Sequence, residues 1–142
     1  NAVSVSMAAD GDSFLHAESA AQKIMSGNGI EATQITRGNL IDNGLKGVAG
    51  IVGVNQSAGS INNQDNAASM AVGPGSMAAL SEADLGMVNT GNCSRETGVA
   101  LTDTLANGAL ATASGIVGVN QSSGCMNNQA NVVAVCAVSS PF

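Results

Sequence analysis

The sequence predicts an all-β fold of the β-solenoid or amyloid-like kind, a stack of two serpentine layers with one layer per 65-residue repeat. Three observations carry that expectation. A segment of seventeen residues recurs 65 positions later, amide side chains crowd into it, and half of the 142 positions are Gly, Ala, Ser or Asn.

The repeat comes first, because self-similarity at a fixed period decides architecture. Gly50 to Asn66 returns as Gly115 to Asn131, identical at thirteen of seventeen positions. Three of the four mismatches, Ala58/Ser123, Ser60/Cys125 and Ile61/Met126, keep size. Upstream, the same spacing matches Leu40 with Leu105 and Leu45 with Leu110. Downstream, Ala67 to Val72 and Val132 to Ala137 are both small and apolar. The chain therefore divides into units 9–73 and 74–138, with an extension at 1–8 and a tail at 139–142. At about 3.3 Å per residue a unit is far too long for one strand, so each must fold back several times within its layer.

Composition sets what such layers can be made of. There is no Trp or Tyr, and Phe14 and Phe142 are the only aromatics, so aromatic packing cannot organise a core. Charged residues are 10% of the chain, and none follows Asp103. Hydroxyls and amides must keep the surface wet. At 44% hydrophobic residues and a mean hydropathy of +0.21, the chain lies outside the polar, highly charged regime of disorder. Its net charge of −6 and its lack of aromatics exclude nucleic acid as a partner. No run of about 18 apolar residues could span a bilayer. The opening at Asn1, with no basic-then-apolar leader, fits a processed, secreted chain.

Taken along the chain, Ala2 to Met7 alternates apolar and polar residues as a strand does. Lying outside the repeat, it is a candidate for strand addition onto a neighbouring subunit. Ser13 to Met25 admits a short helix, since Phe14, Ala17, Ala21 and Ile24 share a helical face, as does Ser81 to Val88. Elsewhere short strands are expected. Gly and Asn at frequent intervals supply the positive φ of sharp connections, with Gly53, Gly59, Gly118 and Gly124 as the arc glycines.

The amides are the candidate assembly residues: Asn55, Gln56, Asn62, Asn63, Gln64 and Asn66, repeated as Asn120, Gln121, Asn127, Asn128, Gln129 and Asn131. An amide both donates and accepts, so identical amides stacked at about 4.8 Å can bond up and down in a ladder. Scattered loop amides would need no such identity at fixed offset.

The pattern Gly-Val-Asn-x-x-x-Gly-x-x-Asn-x-Gln-x-Asn, at Gly53 to Asn66 and Gly118 to Asn131, resembles the repeats of the Fap-type functional amyloids, and more distantly curlin. The curlin-like spacing here is one residue longer, Gln56-x-x-Gly59-x-x-Asn62. The resemblance implies a secreted fibre subunit whose partner is itself, served by a secretion channel and a nucleator, at the cell surface or in a biofilm matrix.

Catalytic readings find little support. His16 is the only histidine, and no Gly-x-Ser-x-Gly elbow accompanies it. Asp10-Gly11-Asp12 resembles part of a calcium loop but lacks the closing acid. No enzyme activity, cofactor or metal is expected. Three cysteines allow one disulfide, for which Cys125 and Cys136 are the favoured pair, or three buried thiols. The alternative to a fibre is a monomeric secreted β-solenoid that binds a surface as an adhesin.

Overall fold

The computed structural model describes residues 1–9, 14–75 and 78–139. Among these residues the chain forms eleven strands and no helix: β1 (Ala2–Met7), β2 (Phe14–Ser26), β3 (Gly29–Thr33), β4 (Thr36–Asp42), β5 (Ala49–Ser57), β6 (Asn63–Pro74), β7 (Ala78–Thr90), β8 (Cys93–Thr97), β9 (Ala100–Ala106), β10 (Ser114–Ser122) and β11 (Asn128–Ser139). The first pass, β2 to β6, is repeated by the second, β7 to β11. Each strand of one lies hydrogen-bonded to its counterpart in the other. The two stretches that also admitted a short helix, 13–25 and 81–88, carry β2 and β7 instead, residue 13 lying outside the described residues. Leu15, Ala17 and Ser19 alternate buried with exposed His16 and Glu18, a period of two that only a strand satisfies.

The pairings of β1, β3, β4 and β5 are parallel, and β5 lies on β10 in the expected register, from Ala49↔Ser114 to Ser57↔Ser122. The offset is not uniform. β3 on β8 and β4 on β9 run at 64, so Leu40 faces Thr104 and it is Ile41 that faces Leu105. The Leu40/Leu105 match is therefore corrected by one residue. Because a shift of one turns every side chain to the other face, the offset of 64 places buried Ile41 in one column with Leu105, which stays exposed. By Leu45 the spacing has returned to 65. Its N–H reaches the carbonyl of Ala109, the residue before Leu110, as the parallel ladder requires.

β1 also departs from expectation. It pairs with β6 of its own chain, Ala2↔Ala67 to Met7↔Val72, in a three-stranded sheet β1-β6-β11. Asn1-Ala2-x-Ser4 against Asn66-Ala67-x-Ser69 explains why: β1 carries the repeat and does not lie outside it.

The corners are built by stacked pairs of left-handed residues, Gly27/Gly91, Gln34/Gly98, Asn43/Asn107, Gly47/Thr112 and Ile61/Met126, and the pair Gly50/Gly115 has positive φ just inside β5 and β10. None of the expected arc glycines, Gly53, Gly59, Gly118 or Gly124, has a positive φ. Gly59 and Gly118 serve close approach instead. A Cβ on Gly59 would collide with the carbonyl of Gly124, and one on Gly118 with the Asn131 amide.

By contacts the chain forms two compact units, one of residues 1–22, 65–86 and 132–142, the other of 23–64 and 87–131. In the first, Leu15, Ala17 and Ala71 form the core with Ala8 and Ala79 against them. Ser69, fully buried, donates to the Ala17 carbonyl at 2.6 Å and accepts from the Ser81 hydroxyl at 2.9 Å. In the second, β3, β4 and β5 pair with β8, β9 and β10, and Ile41, Ile61 and Ala109 are buried. Each buried methyl contributes only about 0.8 kcal/mol, against about 1.5–3 for a whole Leu or Val side chain. With side chains this small, the backbone and amide bonds between passes matter more than core volume.

Candidate functional site

The second unit holds the repeated amides other than Asn66, and the parallel register dictates their meeting. Where residues 65 apart are Cα partners, identical side chains leave the strand in the same direction at adjacent heights. Asn120 Nδ2 donates to Asn55 Oδ1 at 3.0 Å, and Gln121 Nε2 to Gln56 Oε1 at 2.8 Å. Asn63 Nδ2 donates in the opposite direction, to Asn128 Oδ1 at 3.1 Å, and the amides of Gln64 and Gln129 meet at 2.7 Å. In the first unit, Asn66 Nδ2 donates to Asn1 Oδ1 at 2.8 Å.

Several amides bond sideways as well. Asn131 Nδ2 donates to Asn55 Oδ1 at 2.8 Å, while Asn120 Nδ2 also reaches Asn131 Oδ1 at 3.2 Å, tying β10 and β5 to the start of β11. Asn63 is buried, and its Nδ2 lies 3.2 Å from both Val88 O and Asn89 Oδ1. Asn62 and Asn127 play another part. Each donates to a serine hydroxyl five residues back, Ser57 and Ser122, closing equivalent turns, and Asn62 Oδ1 accepts from Asn127 N–H at 2.8 Å.

Other paired residues escaped the sequence reading. Asn28 Nδ2 donates to Asn92 Oδ1 at 3.1 Å, Asn39 Nδ2 to Asp103 Oδ1 at 2.9 Å, and Asn107 Nδ2 to Asp42 Oδ1 at 2.6 Å. The first two are at offset 64, the signal that a search at 65 overlooks. Arg37 Nη1 lies 2.6 Å from Glu96 Oε1, and Cys125 Sγ joins them at 3.2 Å from Arg37 Nη1 and 3.0 Å from Glu96 Oε1. The Cys125–Cys136 disulfide is absent and all three thiols are free. Cys125 is engaged by Arg37 and Glu96, and the Cys136 thiol donates to the Ala79 carbonyl at 2.7 Å.

Among the described residues no group of three His, Cys, Asp or Glu could hold a metal, and no helix is long and apolar enough to cross a membrane. Asp10-Gly11-Asp12 lies outside the described residues.

Two carboxyls are held below their ordinary range. For Asp103 the cause is the Ser123 hydroxyl and then the Asn39 amide; for Glu96 it is the Cys125 thiol and then Arg37. A carboxyl whose folded pKa is depressed stabilises the fold above its unfolded pKa and loses that contribution as pH falls through the folded value. Thermal stability is therefore expected to hold from pH 7 to about 5 and to drop below about 4. Asp103→Asn should flatten part of that drop in melts followed by circular dichroism. An unchanged slope in the variant contradicts the assignment.

A family model described as the functional amyloid protein FapB/FapC family matches residues 1–138. No curated protein and no solved structure matches the chain.

Proposed function

The chain belongs to the functional amyloid protein FapB/FapC family, and from that premise we propose that it is a self-assembling subunit of an extracellular fibre, in a biofilm matrix or on the cell surface. In this reading the units 9–73 and 74–138 are successive layers of the filament, and the role is structural with no chemistry performed. The carrying observation is the bonding of matched amides one pass apart, Asn55 with Asn120, Gln56 with Gln121 and Asn63 with Asn128. Because an amide both donates and accepts, a column of matched amides is a bonding pattern that a further copy can extend as a ladder. The partner is another copy of the chain, delivered by a secretion channel and started by a nucleator.

Purified protein left standing in buffer is expected to form long unbranched fibres in negative stain, with a meridional diffraction spacing of about 4.7–4.8 Å. A light-scattering mass that stays monomeric at every concentration overturns the proposal and favours a monomeric surface-binding module.

A further inference from the structure

Asparagine followed by glycine occurs three times in the chain, at Asn28-Gly29, Asn43-Gly44 and Asn107-Gly108. In this dipeptide the asparagine side chain is open to attack by the backbone nitrogen that follows, because glycine carries no Cβ to hinder it and turns freely. All three asparagines are exposed, so exposure does not separate them. Hydrogen bonding does. Asn28 Nδ2 donates to Asn92 Oδ1 at 3.1 Å and to Ser26 O at 3.3 Å, and the Asn28 carbonyl accepts from the Cys93 N–H at 2.8 Å. Asn107 Nδ2 donates to Asp42 Oδ1 at 2.6 Å, while bonds from Ala109 N–H to Ala106 O at 3.0 Å and from Ala111 N–H to Gly108 O at 2.7 Å close the turn around it. Asn43 stands apart. Its φ of +55° matches the +52° of Asn107, on which it stacks, yet among the described residues its side chain makes no hydrogen bond and its N–H reaches Ala106 O only at 3.3 Å.

We infer that Asn43 is a site of spontaneous covalent modification, deamidation through a cyclic imide, and that the fold shields Asn28 and Asn107 from the same reaction. The Gly44 nitrogen bonds to Asn43 Cγ while its proton passes through water to Nδ2, the Cγ–Nδ2 bond breaks, and ammonia leaves. Water then opens the imide at either carbonyl, giving aspartate or isoaspartate, so that one water is consumed for each ammonia released. To bring Cγ onto the next nitrogen, the backbone must rotate between the asparagine Cα and its carbonyl. At Asn28 that rotation breaks the carbonyl bond from Cys93 and draws the amide away from Asn92. At Asn107 it breaks a bond to a carboxylate, which is stronger than one between neutral groups. Nothing comparable gives way at Asn43. The product sets a carboxylate beside Asp42 and takes the net charge from −6 to −7. This reaction belongs to the single folded copy and does not depend on assembly.

Peptide mapping by mass spectrometry tests this on the full chain held at mildly alkaline pH, folded in buffer and, in parallel, unfolded in guanidinium chloride. Unfolded, the three sites share glycine as the next residue and are expected to convert at similar rates. Folded, Asn43 is expected to convert at least about tenfold faster than Asn28 or Asn107, a factor equal to 1.4 kcal/mol, with aspartate and isoaspartate both appearing at position 43. Asp42→Ala, at an exposed position, removes the partner of the Asn107 amide and should speed conversion at Asn107 severalfold while Asn28 keeps its rate. A folded chain in which Asn43 stays intact, or in which Asn28 or Asn107 converts as fast, overturns the inference. So does an Asp42→Ala variant whose Asn107 remains as slow as in the wild type.

Discussion

With Asn63 and Asn128 both changed to Asp, fibre growth at pH 7 is expected to fall by about a hundredfold or more, whereas the matching Ala pair should slow it far less. Asp has the shape of Asn, so sterics favour it. It cannot donate, however, and Asn63 Nδ2 lies within hydrogen-bond reach of three acceptors, Val88 O, Asn89 Oδ1 and Asn128 Oδ1. Two facing carboxylates at about 4.8 Å repel by about 1 kcal/mol in water and by about 3.5 kcal/mol at the effective dielectric of 20 that suits protein sites. Ala loses only the bonds, about 1 kcal/mol each. At pH 4, where an Asp in so crowded a place is protonated, the Asp pair should recover and the Ala pair should not. Seeded elongation followed by light scattering at pH 7 and 4 measures both. Equal rates for the Asp and Ala pairs at neutral pH mean that these amides do not hold the stack together.

Gly115→Ala is expected to destabilise the fold by about 3–5 kcal/mol, enough to unfold a marginal chain. Gly115 has a φ of +100° and stacks on Gly50 at +98°, and a Cβ there would collide with the Gly50 carbonyl oxygen and crowd its backbone nitrogen at 2.9 Å. Backbone cannot swing aside as a flexible side chain can. Gly29→Ala serves as control, since nothing lies within 4 Å of its added methyl and its φ is not positive. Urea melts of the two variants should separate by most of that margin, and a Gly115→Ala variant as stable as Gly29→Ala contradicts the close stacking of Gly115 on Gly50.

What could be foreseen followed the density of identity. Where Gly50 to Asn66 repeats as Gly115 to Asn131, residue-for-residue identity announces both the strand and its partner, and β5 lies on β10 accordingly. Between Asn28 and Asn43 few identities remain, and the chance match of Leu40 with Leu105 suggested an offset one residue too long. The period of β2 was ambiguous for a different reason. Phe14, Ala17, Ala21 and Ile24 fit a helical face, while Leu15, Ala17 and Ser19 fit a strand face, and only the presence of β7 alongside decides between them. The corners were misassigned because glycine is the usual bearer of positive φ, yet Ile61, Met126, Gln34 and Thr112 carry it here, held by parallel neighbours on the adjoining pass.

The opposed directions of the amide bonds have a consequence for fidelity. Asn120 and Gln121 donate from the second pass to the first, while Asn63 donates from the first pass to the second. In a growing filament an arriving subunit must therefore present nitrogens in some columns and oxygens in others at the same instant. In the filament proposed above, a copy one strand out of place, or a chain without amides at these positions, leaves columns unbonded at about 1 kcal/mol for each lost hydrogen bond and so dissociates sooner. Columns of both senses thus favour the matched copy through its slower dissociation.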